Sequence, residues 1–98
     1  MQECGELNWQ NWELVGDNQR TLFEKQLRRE IGIEHHLYQA VERLKVIARD
    51  CASDDVLVTD PTETLHAFVV HLAWSDGPSE EVDFPSACSV SKLSLIHI

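Results

Sequence analysis

The chain has 98 residues, 43% of them hydrophobic, with 17 acids against 8 bases and a formal charge of −9. That length allows one small domain with a thin core. The acid excess repels phosphate backbones, which argues against nucleic acid as a partner, and no long apolar run marks a membrane span. The charge is lopsided: residues 1–50 hold nine acids and seven bases, whereas residues 51–98 hold eight acids and one base, Lys92. A basic protein surface is the electrostatic match for such a half, and plain solubility is the alternative.

The first segment, "LNWQNWELV", places Trp9, Trp12 and Val15 three apart, while Trp12 and Leu14 fit a strand. Its period does not choose between helix and strand. The two tryptophans either lie across the core or form an exposed binding pair. Residues 18–31 predict the principal helix. Phe23, Leu27 and Ile31 make its buried stripe, with Leu22 at the margin. Asp17 or Asn18 is the expected cap, Gly32 the expected left-handed stop, and Glu24–Arg28 an outward pair. Glu30 falls inside the apolar stripe. It either moves to the rim, for instance against Arg20, or acts as an acid or base of altered pKa.

Residues 33–43 begin with His35-His36, whose side chains diverge on any regular backbone and so do not chelate one metal together. This segment reads as a second helix or as an irregular connection. Strands are then predicted at 44–51, 55–59 and 65–74, separated by turns at Ser53-Asp54-Asp55 and Asp60-Pro61, with Asp76-Gly77-Pro78 after the last. Short turns make an antiparallel meander the simplest topology. The expected fold is therefore α+β: one amphipathic helix packed on an antiparallel sheet of three to four strands, within a single domain over residues 1–86.

The strand "LHAFVVHLAW" is apolar on both sides. His66, Phe68, Val70, Leu72 and Trp74 fall on one face, and Leu65, Ala67, Val69, His71 and Ala73 on the other. A central strand follows, covered by a helix on one side and by loops or a partner on the other. The two histidines point apart. His71, beside small Ala67 and Ala73, is either a core histidine or a general base oriented by Asp54 or Asp55.

Three cysteines, Cys4, Cys51 and Cys88, have no C-x-x-C spacing and read as free thiols of a cytoplasmic protein. Cys51 beside Asp50 sits in an acidic setting that disfavours thiolate. No phosphate-binding glycine loop, nucleophile elbow or metal motif occurs, so neither cofactor nor metal is expected. The pieces "NWELVGDNQ", "FEKQLRREIGIEHHLY", "IARDCASDDVLV" and "FVVHLAWSDGP" resemble a family of small uncharacterised, mainly bacterial proteins. That family carries an Asp-Asp-Val-Leu step, here Asp54–Leu57, and a Val-Val-His-Leu-x-Trp strand, here Val69–Trp74. Against it, residues 87–98 read as a doubtful tail, either a replaced C-terminus or a last edge strand from Val90 to Ile98.

Three functions fit these readings. The first is an inhibitor- or immunity-like interaction module for a basic partner, with Trp9 and Trp12 as candidate contacts. The second is a small hydrolase or proton-transfer enzyme using His71 with Asp54 or Asp55, with Glu30 as a separate candidate acid or base. The third is a structural fragment completed by another chain.

Overall fold

The structure is a computed structural model and describes residues 2–77 and 85–97. One helix, α1 (Asp17–Glu30), packs on a five-stranded antiparallel sheet. The strands are β1 (Trp12–Leu14), β2 (Lys45–Asp50), β3 (Asp55–Thr59), β4 (His66–His71) and β5 (Ala87–Ser91), paired in chain order. The α+β meander holds, with two strands more than the three located from the sequence. β1 arises from the ambiguous tryptophan segment, with Trp12 opposite Asp50. β5 arises from the doubtful tail, and its Ala87–Ser91 pair along the length of β4. The edge strand expected over Val90–Ile98 forms earlier, over Ala87–Ser91. Residues Lys92–His97 turn instead into a 3-10 helix.

The first face of the sheet carries Val46, Val56, Val58, Val70 and Leu72. Phe23 and Leu27 of α1 cover it, together with Ile31, Leu37, Val41 and Leu44. The second face carries Ala48, Leu57, Ala67 and Val69 under Trp12, with Cys4, Leu7 and Trp9 packed alongside. β4 is thus apolar on both sides, with Phe68 and Val70 toward the helix and Ala67 and Val69 away from it. The segment 31–44 is irregular, with one 3-10 turn at Tyr38–Ala40 rather than a second helix. His35 explains its position. Its buried ring accepts from the Leu37 amide at Nδ1 (3.1 Å) and donates from Nε2 to the Pro85 carbonyl (2.8 Å), which fixes the neutral Nε2–H tautomer.

Several local expectations are corrected. Gly16, not Asp17 or Asn18, caps α1, and no side chain bonds there. α1 stops at an extended Ile31, and no glycine among the described residues adopts a positive φ. Glu24 is buried and accepts from the Val46 amide (3.0 Å), so Arg28 pairs with Glu42 instead. The thiol expectation also fails: Cys4 and Cys88 form a disulfide, and only Cys51 is free. The bond spans 84 residues of sequence and joins the N-terminal segment to β5. No helix among the described residues is long and apolar enough to cross a membrane.

Candidate functional site

Of the residues singled out in the sequence, Asp54, Asp55 and His71 meet at one end of the sheet, where β3 begins and β4 ends. Asp55 and His71 are direct cross-strand partners, and this register puts their side chains on one face. His71 Nδ1 lies 2.7 Å from Asp55 Oδ1, with the ring half exposed. Asp54 sits in the preceding turn, where its carbonyl accepts from the Leu72 amide (3.1 Å) and extends the ladder past β4. The turn is built by short polar side chains. Asp50 Oδ1 accepts from the Ala52 amide, and Ser53 Oγ accepts from the Asp55 amide.

Beyond His71 the chain leaves the sheet, so Trp74 is not a strand residue. Its φ is 57°, a left-handed conformation that a bulky side chain rarely adopts. Glu30 holds it there. This carboxylate, 1% exposed, accepts from the amides of Ala73 (2.8 Å) and Trp74 (2.9 Å) and from Gln26 Nε2 (2.7 Å). Gln26 also donates to the Ser75 carbonyl (2.8 Å). The last turns of α1 therefore grip three consecutive residues of the loop. Glu30 neither moves to the rim nor meets Arg20, which pairs with Asp17 at 3.9 Å. Enclosed and acceptor-only when ionised, Glu30 positions backbone and has no opening toward a substrate. The strained conformation is over-determined by these contacts, as such sites require.

The gripped indole remains 44% exposed, with its ring centroid 5.8 Å from that of Phe23. The two rings help line a cleft of about 60 Å³. Arg49, Asp50, Ser53, Asp54, Asp55 and Val56 complete its lining. Arg49 is held by Glu13 at 3.0 Å. Its guanidinium is pushed up in pKa first by the Cys51 side chain and then by Glu13. A cation beside Cys51 replaces the purely acidic setting expected for that thiol. Carboxylates and aromatic rings lining one cleft suit a small cation such as an ammonium or guanidinium head group.

The tryptophan pair lies elsewhere. Trp9 and Trp12 are 5.5 Å apart by ring centroid on the second sheet face. Trp12 is buried, while Trp9 is half-buried and lines a separate groove. His66 sits at the opposite end of β4, 3.5 Å from Glu63. His35 and His36 lie 6.1 Å apart, ring edge to ring face, and no group of three or more potential metal ligands occurs among the described residues. Sequence reasoning missed Trp74 as a site residue because a strand extended to that position points it into a layer. Only the Glu30 clamp reveals its turn outward.

Searches of protein-family models, curated proteins and solved structures returned no match to this chain.

Proposed function

We propose that this chain is a small acidic interaction module, inhibitor- or immunity-like, that binds a basic protein by taking a lysine or arginine head group into the Trp74 cleft. The supporting observation is the half-exposed indole of Trp74, held in a strained backbone by a buried carboxylate and lining one cleft with Asp54 and Asp55. The acid-rich second half of the chain then steers a basic partner toward this end of the sheet, an effect that salt weakens. The disulfide favours an oxidising compartment over the cytosol as part of this reading. Kinship with the small bacterial family of the Asp-Asp-Val-Leu pattern is a further part of the proposal.

The test is titration with a short arginine-rich peptide, followed by indole fluorescence and by amide shifts of residues 50–55 and 73–75. Binding that weakens about fivefold in Trp74→Ala, and similarly in the Asp54→Asn/Asp55→Asn pair, is the expected result. Glu30→Gln should weaken it too, because the neutral amide cannot accept all three donors with its nitrogen. Peptide binding that leaves these amides unmoved removes the proposal.

A second reading rests on the 2.7 Å His71–Asp55 contact, which has the geometry of a general base and its orienting carboxylate. Against it, His71 lines neither the cleft nor the groove. Hydrolysis of a model ester that disappears in His71→Ala and falls in Asp55→Asn would favour this enzyme over the binding module.

A further inference from the structure

A second cavity lies at the opposite end of β4 from the Trp74 cleft. Gln2–Cys4 run parallel to β5 as a short extra strand: the Cys4 amide donates to the Ser89 carbonyl (2.7 Å), and the Ser89 amide donates to the Gln2 carbonyl (2.9 Å). The Cys4–Cys88 disulfide ties the same point covalently. The chain then leaves the sheet edge through Gly5 and Glu6 and comes back over the second face, where Leu7 and Trp9 pack. Between the departing segment and β5 lies a groove of about 490 Å³. That volume is in the range of small-molecule sites.

The lining is specific in charge. Glu3 and Glu6, both exposed, supply two carboxylates; Leu7, Trp9 and Val90 supply apolar walls; Ser89 and Ser91 supply polar positions at the sheet edge. His66 also lines the groove, and Glu63 lies 3.5 Å from it. The nearby base, Lys92, donates its ammonium to the Glu63 carbonyl. A Cβ built at Gly5 meets nothing within 4 Å, so the backbone there borders open space.

We infer that this groove is a binding site for a small organic amine, its ammonium taken by Glu3 and Glu6 and its apolar body laid against Leu7 and Trp9. Carboxylates repel an anionic ligand, and the aromatic wall favours a cation with a flat or aliphatic body. The disulfide is a positioning element of the site, because it holds the wall that carries both glutamates against β5. The site shares no lining residue with the Trp74 cleft, so each stands or falls separately.

The experiment titrates the oxidised full chain with phenethylamine and with phenylpropionate, its charge-reversed analogue, and reads calorimetry and amide shifts of residues 3–9 and 89–91. Saturable binding of the amine alone is expected. Glu3→Gln/Glu6→Gln should weaken it about tenfold. Gly5→Phe should abolish it by filling the groove from an unstrained position, while Trp74→Ala leaves it unchanged. Absence of saturation below about 10 mM, equal binding of the carboxylate, or indifference to Gly5→Phe would overturn the inference. Loss of peptide binding at the Trp74 cleft with amine binding retained would sink the proposed function and leave the groove standing.

Discussion

On one face of the sheet, α1 and the segment 31–44 lay down a continuous layer of Phe23, Leu27, Ile31, Leu37, Val41 and Leu44. On the other, the cover is a short N-terminal stretch with Leu7 and Trp9 half-buried and one disulfide. The first cover is sealed by buried carboxylates: Glu24 accepts from β2, and Glu30 accepts from the loop after β4. The second leaves a groove of about 490 Å³ at its margin. A chain of this size has one good helix, and one helix covers one face. The remaining face needs a staple, and the covalent bond between Cys4 and Cys88 supplies it. The same economy explains why the second cover leaves a wide groove, whereas the first leaves only the small cleft beside Phe23.

Breaking the helical cover should have the largest effect. Leu27, 1% exposed, sits between α1 and the valines of the sheet, and Leu27→Ala should cost about 4 kcal/mol by urea denaturation. Breaking the stapled cover comes next. Cys4→Ser/Cys88→Ser should cost about 3 kcal/mol, since the unfolded chain regains the freedom of an 84-residue loop. Hydrogen exchange sharpens the comparison. Loss of the staple should expose amides of β5 and residues 2–9 while the β2–β3 ladder stays protected.

The smallest of these effects is electrostatic and belongs to the first cover. Arg43, in the connection that helps cover it, pairs with Asp60 in the β3–β4 turn (3.0 Å). The Arg43 hydrogen bonds and the Thr62 amide and hydroxyl hold the Asp60 carboxyl at about 2 against an ordinary 3.8, although burial pushes the other way. A depressed carboxyl stabilises fully above its unfolded value and is lost as pH falls through its folded one. Stability should therefore decline from about pH 4 toward pH 2 by about 1 kcal/mol from this group, discounted because Arg43 is half exposed. Asp60→Asn should remove that part of the pH dependence. An unchanged acid limb in the variant would show that the pair contributes nothing.

Much of the architecture was legible in residues alone. The stripe Phe23, Leu27, Ile31 marked α1, and the β-branched runs between turn residues marked β2, β3 and β4. These signals are local, because burial of one face imposes a period on the chain. β1 and β5 carried no such mark. Three residues of β1 show too little period, and β5 is a mixed sequence whose place depends on β4 beside it. In the site, the facing pair Asp55–His71 was anticipated as one of two candidate carboxylates for the histidine. The role of Glu30 was not, since a carboxylate in an apolar stripe gives no hint of which amides it will meet.

By itself, then, the sequence determined the α+β class, the helix, the three central strands and the acidic second half, because propensity, period and charge are properties of neighbouring residues. Tertiary structure alone decided the Cys4–Cys88 bond, the left-handed Trp74 under Glu30, the neutral His35 lock and the groove beside β5. Each depends on groups from separate parts of the chain, tens of residues apart, and no local pattern encodes which distant partner will supply a hydrogen bond, a sulfur or a wall.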